Sequence, residues 1–170
     1  IDPVSQPAVV SDLLEYTGRT HMLLRASISE IKTGRVTRNH GRLVVTMRLY
    51  PRFLSKSLID EYKSELAPEK NLFERYREIK TNVSEQSEAF EQAQYQREFA
   101  LGEAGLAALQ ELTHLSHKND VYMICQCEKN ERCHVDLMLL IAENKWGAAI
   151  GPIPFDYHEF RGRLPTILIR

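Results

Sequence analysis

One stretch, residues 121–144, constrains the fold of this chain more than any other. It reads VYMICQCEKNERCHVDLMLLIAEN: an apolar β-type run, a short polar loop and an apolar helical run. All three cysteines of the protein lie in it, with a histidine beside the last. Strands that alternate with helices are typical of α/β folds. The stretch therefore predicts an α/β protein and marks the place where its chemistry would lie.

The composition is that of an ordinary globular domain. The chain has 170 residues, 43% hydrophobic and 26% charged, which is enough to bury a core. It contains no apolar run of membrane-spanning length, and its first residues lack the basic start and apolar core of a signal peptide. Three cysteines within nine residues do not form a secreted disulfide framework. We expect a cytoplasmic protein without a membrane partner.

The charge is unevenly distributed along the chain. The net charge is −1, yet residues 31–59 contain basic residues and no acidic one, so the remainder is net acidic. This asymmetry indicates either a patch that faces an anion or a solvated basic loop. The basic residues of the segment are Lys32, Arg35, Arg38, Arg42, Arg48, Arg52 and Lys56.

Hydrophobic periodicity predicts strands that are separated by helices. Because the intervening helices are long enough for crossovers, we expect a three-layer α/β sandwich with a small, mainly parallel sheet flanked by helices. The predicted strands are 22–31, 43–49 and 121–127, with a short closing strand at 166–169. The predicted helices are 9–14, 55–66, 69–80, 85–101, 106–118 and one that Asn130 caps after the cysteine loop; 146–155 and 158–162 are predicted as turn and loop.

The domain prediction is one domain over residues 1–170. Residues 1–8 carry two prolines and no periodicity, which is typical of a flexible tail. The core would cover about 22–144, and 145–170 would form a C-terminal extension.

Two predicted strand ends bring candidate functional residues together. Ligands of parallel sheets bind at the carboxyl ends of the strands. The second strand ends near Arg48 and Arg52, and the third ends near Cys125 and Cys127. If these strands are neighbours, the arginines and the cysteines share one edge of the sheet.

The cysteine loop itself has features of a thiol or anion site. Alternation along the strand places Cys125 and Cys127 on one face. With Asn130 as the N-cap, Cys133 and His134 would lie in the first helical turn, where amides are unpaired and the dipole favours negative charge. A thiol placed there, near Arg132, would have a lowered pKa. The same arrangement suits a bound anion.

Three other interpretations of the loop remain. First, Cys133 shares a helical face with Leu137 and Leu140, so the cysteines could be small core residues. Second, C-x-C-x5-C-H offers ligand types that zinc prefers, but neighbouring residues at a helix start project about 100° apart, and we predict no metal ligands. Third, a phosphatase-type loop would need five residues between cysteine and arginine. Here four residues separate Cys127 from Arg132, and the loop has no glycine.

The motifs resemble a known family. The run MRLYPRFLSKSLIDEYKSELAPEKNLFERY is similar to the R-L-W-P-R … L-A-P … L block of the domain of unknown function 488 (DUF488) family, the YeaO-like proteins. The run VYMICQCEKNERCHVDLML is similar to its strand–loop–helix signature. The resemblance extends roughly over residues 22–144. It implies a compact α/β domain with no established activity.

The matching positions include the candidate site residues, with two departures. Tyr50 stands where the family usually has tryptophan, and Val135 stands where an arginine often follows Cys-His. The second departure removes a positive group from the expected pocket. The positions that carry over are Arg48, Pro51, Arg52, Cys125, Cys127, Cys133 and His134.

The leading functional hypothesis is an anion-binding, thiol-dependent site for a small anionic ligand. Cys125 or Cys127 would be the reactive thiol. The rival hypothesis is a binding module in which residues 32–52 contact nucleic acid or an acidic partner and the cysteines are structural. No nucleotide-binding or hydrolase motif occurs, so no cofactor is predicted. The anion-binding residues would be Arg48, Arg52, Arg132, Cys133 and His134.

Overall fold

The fold is an α/β sandwich built on one parallel sheet. A computed structural model describes residues 20–167, and in them four strands pair in the order β1-β4-β2-β3, all parallel. The predicted fold class is confirmed. The strands are β1 Leu23–Ser27, β2 Arg42–Val45, β3 Glu61–Tyr62 and β4 Val121–Cys125; the helices are α1 Ile28–Lys32, α2 Lys70–Asn82, α3 Gln86–Gln92, α4 Tyr95–Glu98, α5 Glu103–Leu115, α6 His134–Trp146 and α7 His158–Ile167.

Strand β4 lies at the centre of the sheet, between β1 and β2. Ser27 is opposite Cys125 on one side, and Val45 is opposite Ile124 on the other. The expected adjacency of the second and third predicted strands is therefore present. Since all pairs are parallel, the loops that follow β1, β2 and β4 leave the sheet at the same edge.

The two faces of the sheet are covered differently. Met123 and Cys125 of β4 pack in a large core with the longer helices, while Ile124 packs in a smaller core with α1 and loop residues. Helix α6 is buried from His134 to Ala142, as expected for a helix that is apolar on all sides. Every helix within residues 20–167 is too short or too polar to cross a lipid bilayer.

The first predicted strand is wrong in its second half. The strand ends at Ser27, whose hydroxyl accepts a hydrogen bond from the amide of Glu30 at 3.2 Å. The Glu30 carboxylate accepts one from the amide of Ser27 at 3.1 Å. This reciprocal capping box starts a helix, so 28–31 belong to α1 and not to the strand.

The predicted helix 55–66 is also wrong. The segment forms two 3-10 turns, Lys56–Leu58 and Ser64–Leu66, on either side of β3. The amides of Asp60 and Lys63 donate to the carbonyls of Leu43 and Val45 at 2.9 Å. Pairing with the open edge of β2 satisfies backbone groups that a helix would leave unpaired there.

The remaining boundaries differ to varying degrees. Helices α2 and α5 confirm the predicted helices at 69–80 and 106–118. The predicted helix at 85–101 is divided into two helices, α3 and α4, because Gln94 adopts a left-handed φ of 63°. The predicted strand at 43–49 ends earlier, at Val45. The predicted loop at 158–162 belongs to α7, and so do residues 166–167 of the predicted closing strand. Predicted elements at 1–8, 9–14 and 168–169 lie outside the described residues.

Candidate thiol site

The three cysteines converge at the carboxyl edge of the sheet. Cys125 ends β4, Cys127 follows in the loop and Cys133 precedes α6. Their sulfurs all lie within 4.8 Å of one another, and the Sγ atoms of Cys125 and Cys133 are 2.9 Å apart. Cys125 and Cys133 are each 1% exposed, whereas Cys127 is half-buried. The cluster is thus a buried pair of thiols with a third thiol nearer the solvent.

Helix α6 begins later than predicted, with Cys133 and not Asn130 as its N-cap. The Cys133 sulfur accepts a hydrogen bond from the amide of Val135 at 3.4 Å. The loop before it closes on itself, because the Glu131 carboxylate accepts a hydrogen bond from the amide of Glu128 at 2.9 Å. Because Glu131 takes part in this turn, it is not available for the first turn of a helix that begins after Asn130.

Three amides in the turn expected to bind an anion, those of Cys133, Val135 and Asp136, have partners within the protein. The amide of Cys133 donates to the hydroxyl of Tyr157 at 3.2 Å, and the amide of Asp136 donates to the carbonyl of Cys133 at 3.1 Å. A buried carboxylate, that of Asp136, already lies in this first turn. The helix dipole therefore acts on a side chain of the protein itself.

A buried ion pair behind the cluster was not predicted from the sequence. Arg25 of β1 donates to the Asp136 carboxylate at 2.9 Å and to the carbonyls of Glu128 and Glu131 at 2.5 and 2.7 Å. Tyr157 donates its hydroxyl proton to the same carboxylate at 2.5 Å. The Arg25 and Asp136 side chains are 9% and 1% exposed. Arg25 thus ties the cysteine loop to both the sheet and α6.

The pKa values of the three cysteines are shifted in different directions. Hydrogen bonds from Cys125 and Cys133 hold the pKa of Cys127 well below its ordinary value, and the charge of Arg25 lowers it further, against the effect of burial. The hydrogen bond with Cys127 raises the pKa of Cys125, and burial raises that of Cys133. These pKa directions favour a thiolate at Cys127 beside two neutral thiols.

His134 connects the cluster to the end of β2. Its Nε2 lies 3.1 Å from the carbonyl oxygen of Thr46, which can only accept, so Nε2 carries the proton. Its Nδ1 lies 3.8 Å from the Cys133 sulfur. Burial lowers the pKa of His134, which favours the neutral imidazole.

Arg132 packs away from the sulfurs. Its guanidinium donates to the carbonyl of Asp156 at 2.7 Å and lies 5.1 Å from the ring centroids of Phe155 and Tyr157. Its backbone amide donates to the side chain of Gln86 at 2.8 Å. Arg132 therefore anchors the loop to the residues that precede α7.

Arg48 and Arg52 follow β2 on the same edge and are exposed. Among the hydrogen bonds and ion pairs found in residues 20–167, none joins either side chain to residues 125–134. Their predicted role as anion ligands stays a prediction. The arginine that contacts the cysteine loop from a neighbouring strand is Arg25.

The cluster also has the chemistry of a metal site. Three cysteine sulfurs within 4.8 Å match in number and type the protein ligands of a zinc centre with one open position. The fourth sequence candidate, His134, uses Nε2 for Thr46. The prediction that no metal is bound stays a prediction.

No cysteine lines the two clefts that stand out on the described surface. One, of about 440 Å³, lies between Glu65 and Gly102. The other, of about 180 Å³, lies between Val36 and Leu58.

Comparison with known proteins assigns the family. Residues 26–145 match the model of the DUF488-N3a family, described as the active DUF488-N3 subclade. The chain belongs to the DUF488 family. The matched residues include the cysteine cluster and all of Arg48–Arg52, and they confirm the resemblance of both sequence blocks. Neither the curated proteins nor the solved structures contain a match. Tyr157, which contacts Cys133 and Asp136, comes from beyond the matched residues.

Proposed function

We propose that this DUF488 protein performs thiol-dependent chemistry in which Cys127 is the attacking thiol and the buried Cys125 and Cys133 resolve the product. The observation that carries the proposal is the arrangement of three sulfurs within 4.8 Å, of which only the sulfur of Cys127 belongs to a residue that is not buried. An accessible thiol backed by two inaccessible ones suits stepwise exchange. The description of the subclade as active agrees with such a role.

The pKa pattern supports this division of roles. The thiolate is the nucleophile in thiol exchange, and Cys127 is the cysteine whose pKa is lowered. The buried thiols keep their protons and stabilise the thiolate by hydrogen bonding. The positive charge of Arg25 lowers the pKa of Cys127, and the Asp136 carboxylate that pairs with Arg25 offsets part of that effect.

The reaction is thiol–disulfide exchange with a small disulfide as the oxidant. The Cys127 thiolate attacks one sulfur of that disulfide, its S–S bond breaks and the departing thiolate takes a proton from water. A buried thiol then loses its proton and attacks the Cys127 sulfur. The second half of the small disulfide leaves as a thiol with that proton, and a disulfide between Cys127 and the buried cysteine remains. Two cysteines are oxidised, and one disulfide is reduced to two thiols.

The anionic part of the proposal concerns Arg48 and Arg52. Both are exposed at the edge where the cysteine loop emerges, so they would attract an anionic disulfide such as oxidised glutathione by long-range Coulomb forces. Such attraction is screened within about 8 Å at physiological ionic strength. We therefore expect the reaction to slow with added salt, and less so in the Arg48→Ala/Arg52→Ala variant.

The test is intact-mass analysis of the folded protein after exposure to oxidised glutathione, with metal content measured in the same preparation. The wild type should end with an internal disulfide and no adduct. The Cys127→Ser variant should form no adduct, and the Cys125→Ser/Cys133→Ser variant should stop at a mixed disulfide on Cys127. Thermal melts establish that each variant is folded.

The proposal is wrong if Cys127→Ser reacts like the wild type. It is also wrong if all three wild-type thiols are inert in metal-free folded protein. In that case the cysteines are core residues. A stoichiometric metal whose removal exposes all three thiols would replace the exchange proposal with a metal centre.

A further inference from the structure

We propose that the basic segment 32–56, with the exposed ring of Phe53, is a binding surface for single-stranded nucleic acid. The surface lies outside the cysteine cluster and the inference does not rest on thiol chemistry. It concerns what binds at this edge of the sheet and not what reacts there.

The charge of the segment is largely uncompensated. Arg38 pairs with Asp60 at 3.0 Å and Arg42 pairs with Glu61 at 2.8 Å. Within residues 20–167 the other cations of the segment form no ion pair. These exposed cations are Lys32, Arg35, Arg48, Arg52 and Lys56. A run of free positive charge on a chain that is net acidic elsewhere is the electrostatic footprint expected for a polyanion.

Two large apolar side chains lie exposed among these cations. Phe53 is 84% exposed and Leu49 is 76% exposed. Leaving them in water costs free energy, and nothing in the described part of the chain covers them. An exposed aromatic ring on a basic surface is the pattern on which successive bases stack in single-strand binding proteins.

The residues form one surface although they come from two loops. The Nζ of Lys32, at the end of α1, lies 5.5 Å from the centroid of the Phe53 ring. The Nζ of Lys56 lies 5.5 Å from the ring of Tyr50, which packs edge-on against Tyr62 at 5.4 Å. One cation–ring pair thus links the end of α1 to the loop at residues 51–56, and a second pair links that loop to the edge strand β3 through Tyr62.

Two other polyanionic partners fit this surface less well. Binding to an anionic bilayer usually uses an amphipathic helix with a broad apolar face, whereas residues 46–60 form loop and a single 3-10 turn. An acidic peptide would need a groove or a strand edge for its backbone. Edge strand β3 has two residues, and the cleft beside the segment, between Val36 and Leu58, has a volume of only about 180 Å³. A flexible single strand needs only phosphate contacts and an accessible ring.

The first test measures salt dependence with fluorescence anisotropy of a labelled oligo(dT) of about 20 nucleotides. We expect binding that weakens as salt rises from about 50 to 200 mM. The Arg48→Ala/Arg52→Ala variant should bind more weakly, and the log–log slope should shrink by about 1.4, since each lost phosphate contact removes about 0.7. The matched control, Lys118→Ala/Arg161→Ala, changes two exposed charges elsewhere and should bind like the wild type.

The second test separates stacking from plain apolar contact. Phe53→Leu keeps an apolar side chain but removes the ring, and it should weaken oligo(dT) binding about 5- to 150-fold, the range for loss of one stacked base. Phe53→Tyr keeps the ring and should bind within about twofold of the wild type, since stacking tolerates the added hydroxyl. Because Phe53 is exposed, both variants should fold normally, as thermal melts would establish.

Several outcomes would overturn the inference. These are no oligo(dT) binding at low salt, unchanged binding in the double arginine variant, or equal binding of oligo-glutamate of the same charge. Capture by phosphatidylserine vesicles that survives Phe53→Leu would assign the surface to a membrane instead. Cys127→Ser should bind oligo(dT) normally. If it does not, the surface is not independent of the thiol cluster, whereas failure of the exchange reaction leaves the surface untouched.

Discussion

Arg25 is the residue on which the cysteine loop depends most. It reaches from β1 to two loop carbonyls and to Asp136, across more than a hundred positions of sequence. One Asp136 oxygen accepts from Arg25 and Tyr157, and the other, Oδ1, is buried without a partner among the described residues. A carboxylate in that position is stable only while its cation is present.

Replacing Arg25 with methionine should therefore destabilise the fold by about 3–5 kcal/mol, the cost of leaving one charge of a buried pair alone. The measurement is denaturant unfolding at pH 7. The matched Arg25→Met/Asp136→Asn variant removes both charges, and it should recover a substantial part of that loss. Equal stability of the single and double variants would contradict this account of the pair.

The decrease in the free energy of unfolding caused by Arg25→Met should depend on pH. Burial raises the pKa of Asp136 in the folded protein, and Arg25 opposes that effect. Without Arg25 the folded pKa rises further above the unfolded value of about 3.9. A group with a raised folded pKa stabilises the fold below its unfolded pKa and loses this effect as pH rises through the folded pKa. The gap between single and double variants should therefore narrow as the pH falls toward 4, and a constant gap would contradict this.

At the scale of the elements, the pairing of β2 with β4 begins at a close backbone contact. The Arg42 amide donates to the Asp120 carbonyl at 2.9 Å, and a Cβ on Gly41 would overlap that same carbonyl oxygen. Glycine at this position allows the two strands to start in register. Both strands deliver residues to the candidate site at their other ends.

Gly41→Ala should destabilise the protein by about 1–3 kcal/mol, the usual cost of overpacking. Gly162→Ala is a control that should increase the stability of the protein instead of lowering it. Its Cβ would meet no atom within 4 Å, and alanine favours a helix such as α7 by about 0.5–1 kcal/mol over glycine. Thermal melts of the two variants test these two predictions. Equal melting temperatures of Gly41→Ala and Gly162→Ala would show that the backbone around Gly41 accommodates a Cβ without loss of stability.

At the scale of the whole molecule, local pattern predicted the sheet and the position of the cluster. The apolar run 121–125 is typical of a central parallel strand, and the convergence of strand ends at one edge followed from that topology. The sequence predicted Cys125 and Cys127 on one face of the strand and Cys133 at the start of the next helix, but it did not predict that the three sulfurs lie within 4.8 Å of one another.

The unpredicted features are those decided by distant partners. Arg25 and Asp136 are single charges in otherwise apolar segments, LLRAS and HVDLMLLIA, which was a usable signal for a buried pair. Asn130 was the better N-cap by propensity, but the loop closure by Glu131 and the bond from Cys133 to Tyr157 override it. The segment 55–66 does not form the predicted helix because part of it pairs with the open edge of β2 and satisfies the backbone hydrogen bonds there.

The most direct test of the thiol account is the rate of alkylation of Cys127 against pH in the folded, metal-assayed protein. The thiols of Cys125 and Cys133 have the largest effect on the pKa of Cys127, followed by burial and the charge of Arg25. The charge of Cys127 also acts on the side chains of Tyr76, Tyr95 and Asp136. The rate should rise with pH through an apparent pKa well below the free thiol value of about 8.5 and then level off. Cys133→Ala, which removes one hydrogen-bond donor, should raise that apparent pKa. A Cys127 that titrates at 8.5 or above in the wild type would contradict the account.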